Sequence, residues 1–516
     1  MRGDSLYQAW LHSLRQGVPP GGALAKLKET SQPFEHLRIE GDGDGLSTVN
    51  IEAPGNEQWN ARPVSAFVFP GRTDHVEPSL LICRNLVSLG WQIEYVCEER
   101  YEEQIRDAGA AFHDIEDLCT AHGLDLKRIH EDYEDPTATW SAQFGSIATE
   151  RLIPVFKDFF KTLSPKVVVY CPILCGYAHF AATCLKIVDV SVLTRPGPGF
   201  LNAELAKNNE TPAGLIEKIR ANLPNAKAIE QVRRLLQKPN LSLNSSEPLV
   251  HENYTHLNLV TSLQSLADPL TEKDACVFFA QGKKFEFVGP LMKVDRKQSF
   301  CIDQDLAHDI SQAMRNKKDI ILVSLMHPTP SSELGEVLCR TICKACGPGS
   351  SLVADPLVIF SIASQLDLDD KEASWPENCR TTEVPSVELL KLAEPTLFIT
   401  HGSQTDFMES LSVGSPLIIC PSSPDHAEEL LNASRVQHLG VGEKVIFTGD
   451  LVAYEAQLWW SLEQLLGTGT RRSFRLNAQL LAEEIRDSGG TDRASELIQD
   501  TAPRSKRATV QSRISR

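Results

Sequence analysis

Two separate stretches of this chain repeat one pattern: a short apolar run, a segment of helical spacing, then a glycine. In the first stretch, residues 65–69, 93–97 and 167–171 read as buried strands. Residues 78–89 and 101–108 read as helices stopped by Gly90 and Gly109, the residue type that takes the left-handed turn after a helix end. In the second stretch, 320–325, 357–362, 397–400 and 417–420 read as strands. Helices at 334–346, 387–393, 405–413 and 427–439 lie between and after them. The strand at 320–325 is apolar throughout, as a strand covered on both faces must be. Alternation of this kind predicts a parallel sheet with helices on both sides. Two such series predict an α/β chain of two Rossmann-like domains facing a cleft.

The length of 516 residues leaves room for this, at ~100–200 residues per domain. The expected organisation is an extension at 1–60, a first domain at 61–290, a second at 291–500 and a basic tail at 501–516. Residues 111–165 read as mostly helical, and 196–250 as helical and charged. Gly41 to Gly45 spell GDGDG between two alternating runs, which suggests a hairpin turn. Leu46 stands where a calcium loop needs an oxygen ligand.

The net charge of −17 argues against a nucleic-acid partner, which requires a basic surface. It leaves open a local phosphate site built from backbone amides. The 13 cysteines, the polar N-terminus and the lack of a long apolar stretch predict a cytoplasmic protein with free thiols and no integral membrane anchor. Cys339, Cys343 and Cys346 share a helical face and read as core. No metal site is expected.

The segment 377–442 carries the chemistry. A strand ends in Thr400-His401-Gly402, and an amphipathic helix with Glu409 follows. Next come Gly414-Ser415-Pro416, another strand, and the run from Pro421 to Asp425 and His426. A strand of a parallel sheet delivers its last residues to the edge where α/β proteins bind ligands. The following helix then points its N-terminus at that edge. The amides of Ser403, Gln404 and Thr405, with the helix dipole, suit a diphosphate. His401 is placed to donate to a phosphate oxygen, Glu409 to accept from two ribose hydroxyls, and Asp425 to hold sugar hydroxyls.

This order resembles that of family 1 glycosyltransferases. Their pattern runs V-P-Q, T-H-G-G-x-N-S-x-x-E-A-L, G-x-P and P-x-x-x-D-Q. Here it reads Val384-Pro385-Ser386, Thr400-His401-Gly402-Ser403-Gln404-Thr405-Asp406 on to Glu409, Gly414-Ser415-Pro416, and Pro421 to His426. Phe287 to Pro290 resembles the family's F-V-G-P, and Val323-Ser324-Leu325 its V-S-L-G. The resemblance spans roughly residues 64–450. It implies a GT-B fold and an inverting, metal-independent transferase with no cofactor, moving a hexose from a UDP-sugar to a small lipophilic acceptor. It places the general base at His75. The donor-binding positions fall at Ser324, Val384, His401, Gly402, Ser403, Gln404, Thr405, Glu409, Asp425 and His426.

The chain departs from the pattern at several positions. Asp74 replaces the glycine before His75. Cys171 stands where the family often has an aspartate to orient that histidine, and Asp74 is an alternative partner. Glu383, Ser386, Ser403, Met326 and His426 replace other consensus residues. Asp406 replaces the phosphate-contacting serine, a like charge unless it turns away or is protonated. These departures keep two alternatives open: a binding protein that retains the fold without turnover, and a nucleotide-sugar epimerase.

Overall fold

The computed structural model describes residues 62–126, 146–200, 203, 214, 223–236, 252–268, 270–292, 302–325, 332–362, 375–423 and 426–503. The N-terminal extension with its GDGDG turn, Met326, Asp425 and residues 504–516 lie outside the described residues, as does much of 196–250.

Seven strands form the first sheet: β1 (Val64–Val68), β2 (Gln92–Cys97), β3 (Ala111–Asp114), β4 (Val167–Tyr170), β5 (Val188–Leu193), β6 (Leu257–Val260) and β7 (Lys284–Phe287). Six form the second: β8 (Ile320–Leu325), β9 (Leu357–Ile362), β10 (Cys379–Thr382), β11 (Leu397–Thr400), β12 (Leu417–Ile419) and β13 (Gly442–Lys444). The helices around the first sheet are α1 (Thr73–Ser88), α2 (Glu102–Asp107), α3 (Ile115–Ala121), α4 (Ser146–Leu163), α5 (Gly176–Leu185), α6 (Leu223–Leu235) and α7 (Glu272–Ala280). Those that follow are α8 (Gln304–Arg315), α9 (Ser332–Cys346), α10 (Ser386–Ala393), α11 (Gln404–Ser412), α12 (Ala427–His438), α13 (Leu451–Leu466), α14 (Arg471–Asp487) and α15 (Gly490–Thr501).

The strand orders are β3-β2-β1-β4-β5-β6-β7 and β10-β9-β8-β11-β12-β13, with every recorded pair parallel. The fold is therefore the two-domain α/β architecture that the alternation predicts. Burial shows why the second sheet reads as continuous apolar runs. Ile320 and Leu322 pack into one core, whereas Ile321, Val323 and Leu325 pack into another on the opposite face. Both faces of β8 are covered, so no position on it tolerates a charge.

The structure differs from the sequence reading at some points. The stretch from 111 opens with β3, because Ala111 to Asp114 is too short and too polar to show a period. Helix α1 starts at Thr73 rather than at Pro78. Proline favours a first helical position, which sets the expected start. Here it sits inside the helix, where its missing N–H leaves the Asp74 carbonyl without a helical partner. The last helix, α15, returns to the first domain. Ala494, Ile498 and Ala502 join that domain's core, although 291–500 was assigned to the second. The chain thus crosses between domains twice, at 288–290 and 488–490. The Gly490 amide donates to the Val288 carbonyl at 2.8 Å.

Each sheet reverses its strand order once, between β1 and β4 and between β8 and β11. Such a switch point opens a crevice at the carboxyl ends of the strands. His75 follows β1 and Cys171 follows β4; Ser324 lies near the end of β8 and His401 follows β11. His75, Ser324 and His401, three of the sequence-derived site residues, therefore lie at the two switch points.

Candidate active site

His75 is the third residue of α1 and is fully buried. Its Nδ1 lies 2.8 Å from Thr194 Oγ1 and 3.5 Å from Cys171 Sγ. Cys171 is thus beside the ring, as its position after β4 requires. Burial raises its thiol pKa to about 11, so it stays neutral and cannot serve as a counter-charge. The carboxylate near the ring belongs instead to Asp74, whose Oδ2 is 3.6 Å from His75 Nε2. Two guanidiniums draw it there: Arg72 Nε at 3.2 Å from Oδ1 and Arg195 Nη2 at 3.3 Å from Oδ2. Burial would raise the Asp74 pKa, but His75, Arg195 and Arg72 pull it below the usual range. Burial drives the His75 pKa down to about 4, with Asp74 opposing and Arg195 and Arg72 assisting. The ring is neutral at pH 7.

In the second domain, Gly402 turns the chain from β11 into α11 with φ of +92°. A Cβ there would sit 2.4 Å from Ile419 Cγ2, so only glycine fits. Asn432 of α12 holds the turn by donating to the Gly402 carbonyl at 3.0 Å. Ser403 caps α11, its hydroxyl accepting from the Asp406 amide at 3.1 Å. The Asp406 carboxylate accepts from Ser386 Oγ at 3.2 Å and Thr400 Oγ1 at 2.8 Å. It is thereby satisfied within the domain, and burial raises its pKa. The carboxylate is turned to hydroxyls of its own domain, the first of the two routes by which Asp406 avoids repelling a phosphate.

His401 Nδ1 donates to the Cys420 carbonyl at 2.8 Å. In a neutral ring Nε2 is then an acceptor. Donation to a phosphate oxygen therefore requires the imidazolium, a condition the sequence could not show. Val384 is buried, its carbonyl taking the Ser361 hydroxyl at 2.7 Å and its amide reaching Thr382 Oγ1 at 3.2 Å. His426 is exposed at the start of α12, 3.8 Å from Glu429. Glu429 pins the preceding loop by accepting from the Ser422 amide and hydroxyl at 2.6 and 2.7 Å. Thr405 is exposed on the first turn of α11.

Among the described residues of the second domain, three buried side-chain oxygens have no hydrogen-bond partner. They are Ser324 Oγ, Gln404 Oε1 and Glu409 Oε2, and all three are sequence-derived donor-binding positions. Buried polar atoms are almost always paired, so these three oxygens, on β8 and on the helix α11, make this edge of the second sheet the candidate ligand site. Burial and then Asp406 push the Glu409 carboxyl up to about 8, Lys391 opposing, with Glu77 of α1 adding to the push. Glu77 belongs to the first domain, so this influence on Glu409 acts between the domains. Ser324 pairs in register with Thr400.

The sequence reading missed three residues of this cleft. Thr194 and Arg195 follow β5, whose alternating valines and trailing Pro-Gly-Pro-Gly signal a strand and a turn. Glu428 is the second residue of α12. Its Oε1 accepts from the Gln404 amide at 2.9 Å, and its Oε2 pairs with Arg195 Nη1. A separate cavity of about 650 Å³ opens at the amino ends of β5 to β7, lined by His179, Asp189, Thr255 and Lys283. It shares no residue with the cleft. Cys339 and Cys346 are core residues, and no group of three or more metal-ligating side chains occurs among the described residues. No helix among them is long and apolar enough to cross a membrane.

Comparison with known proteins decides the class. The chain is 24% identical over 434 residues to the NDP-glycosyltransferase YjiC of Bacillus subtilis, covering 82% of this chain and 94% of that one. The chain is a glycosyltransferase. The crystal structure of the glycotransferase of kitacinnamycin superposes on this glycosyltransferase with a TM-score of 0.60 at 19% identity, covering 86% of this chain and all of that one, and shows the GT-B fold. A zeaxanthin glucosyltransferase of Pseudescherichia vulneris is 31% identical over 123 residues, 23% of this chain and 27% of that one. No family model matches the sequence.

Proposed function

We propose that this glycosyltransferase moves a hexose from a UDP-sugar to a hydroxyl of a small lipophilic acceptor, with inversion and without a metal ion or other cofactor. The observation that carries the reading is the set of unpartnered oxygens on Ser324, Gln404 and Glu409 around the start of α11. A diphosphate at that start meets backbone amides and the positive end of a helix. Glu409, further along the same helix, lies where a ribose diol would supply its missing donors. The names of the relatives above, an NDP-glycosyltransferase and a zeaxanthin glucosyltransferase, fit a nucleotide-sugar donor and a small acceptor.

In this reading the acceptor hydroxyl approaches His75 from the cleft. Nδ1–H donates to Thr194, which leaves the Nε2 lone pair to take the acceptor proton. The acceptor oxygen bonds to the anomeric carbon as the bond from that carbon to the β-phosphate oxygen breaks. UDP carries away the electron pair, and the charge it gains falls on the amides of α11. Asp74, 3.6 Å from Nε2, stabilises the imidazolium as it forms. An aspartate at position 171 would do this from the other ring nitrogen.

The test is UDP release from UDP-glucose with a panel of polyphenol acceptors, with product stereochemistry read by NMR. The expected result is acceptor-dependent UDP release, a β-linked product and no loss of rate with EDTA. His75→Ala should lower kcat by about 10²–10⁴-fold at unchanged UDP affinity. An α-linked product, or a changed free sugar formed without acceptor, would overturn the reading.

A further inference from the structure

We infer that Arg195, a residue of the first domain, is a ligand for the donor's diphosphate, and that Glu428 occupies its place until the donor arrives. The inference rests on the UDP-sugar reading above and names a contact which that reading lacks.

The Glu428 carboxylate spans two groups that bind anions. One is the Gln404 amide at the start of α11, 2.9 Å away; the other is the Arg195 guanidinium. A carboxylate and a phosphate ask for the same partners: helix-terminal amides and a planar fork of N–H donors. The position is thus an anion site by virtue of what fills it. Ser324 provides an independent sign. Its hydroxyl is 1% exposed and unpartnered, and it sits beside Thr400 at the same sheet edge. Glu428 satisfies the amide and the guanidinium but leaves Ser324 and Gln404 Oε1 without partners. A diphosphate is larger and offers more oxygens, so it can take the Gln404 backbone amide, the Arg195 guanidinium and the Ser324 hydroxyl together.

Charge favours the exchange. Arg195 already holds Asp74 at 3.3 Å, and its side chain is 13% exposed while that of Glu428 is 22% exposed. A guanidinium in that setting needs an anion opposite, and a doubly charged group competes well against a single carboxylate. Once Glu428 swings out, Arg195 lies between the leaving phosphate and Asp74. It then links the diphosphate of one domain to the base of the other.

The test is calorimetric titration of the full chain with UDP and, separately, with uridine, which lacks phosphate. Glu428→Gln keeps an acceptor for Gln404 but removes the competing charge. It should bind UDP about 5–20-fold tighter, and Arg195→Met about 10–100-fold weaker, with Arg195→Lys between. Uridine affinity should stay within twofold for all three. Should Arg195→Met not fold, Arg195→Lys and Glu428→Gln carry the test. If the variants move UDP and uridine alike, or Glu428→Gln weakens UDP, the pair is a structural clasp and the inference fails. Wild-type protein that binds neither ligand overturns the donor reading and this inference with it. Wild-type protein that binds UDP, with affinity indifferent to all three variants, overturns the role of Arg195 alone.

Discussion

Asp74 Oδ2 lies 3.6 Å from His75 Nε2, although the two residues are neighbours in the chain and Cys171 holds the position expected of an orienting carboxylate. Adjacent helical side chains seldom converge. Here Arg72 and Arg195 hold the Asp74 carboxylate near Nε2 of the ring. His75, the base in the proposed function, thus has a counter-charge beside Nε2.

The first prediction concerns the pH dependence of turnover. Burial lowers the His75 pKa to about 4, so the ring stays unprotonated well below the ordinary histidine range. The acid limb of kcat/KM should fall near pH 4 to 5 rather than near 6.5. Asp74→Asn removes the main influence raising that pKa, so the limb should move lower still while kcat drops.

A second prediction is thermodynamic. The folded state refuses a proton at His75 that the unfolded chain accepts below its ordinary value of 6.5. Stability at this site is therefore intact above pH 6.5 and lost as pH falls towards 4. The full loss is about 3 kcal/mol from this group. Urea unfolding at pH 7.5 and 4.5 should show a smaller difference for His75→Gln than for the wild type.

The third concerns Glu409, with the opposite sign. Burial raises its carboxyl from 4.5 to about 8, so its contribution to stability is present below 4.5 and lost as pH rises through 8. Glu409→Gln should therefore raise Tm at pH 8.5 and change it little at pH 4.5. The same variant should weaken UDP by about 10–100-fold, the worth of hydrogen bonds to a charged group. UDP binding to the wild type at pH 7.5 should release a proton, because ribose donors favour the carboxylate. Titration in buffers of different ionisation heat reads this directly.

The turn at Gly402 supplies a fourth. With φ of +92° and Ile419 Cγ2 at 2.4 Å from any added Cβ, Gly402→Ala strains the backbone and displaces β12. The expected cost is about 1–3 kcal/mol, with loss of UDP binding. A variant as stable as wild type and equally tight for UDP would contradict the account of this turn.

Much of this was legible in the sequence because periodicity marks buried elements. All four strands expected in the second domain occur, since both sheet faces demand apolar residues. The strand β10 was missed because Cys379–Thr382 is polar at its last three positions and lies at a sheet edge. Strands β5, β6 and β7 escaped for a related reason: Asp189, Asn258 and Lys284 break their apolar runs. The Asn258 amide is instead spent on holding Ser191, Thr255 and Lys284.

The site was legible where one segment carries it. Thr400 to Glu409 forms a strand end, a turn and a helix within ten residues, so order alone fixes the geometry. Thr194, Arg195 and Glu428 reach the cleft from elements distant in sequence, and no local pattern joins them. The tautomer of His401 was equally hidden, because it depends on the Cys420 carbonyl across the sheet. Asp406 shows the reverse case. A charge that looked hostile to phosphate is absorbed by the Thr400 and Ser386 hydroxyls.

Thermal unfolding of the full chain against a panel of nucleoside-diphosphate sugars tests the central claim most directly. The amide cradle after Gly402 predicts a rise of several degrees with UDP-sugars at about 100-fold above Kd, equivalent to about 2.7 kcal/mol of linkage. The rise should shrink in Glu409→Gln and vanish in Gly402→Ala. An unchanged Tm across uridine, thymidine, guanosine and adenosine diphosphate sugars would contradict it.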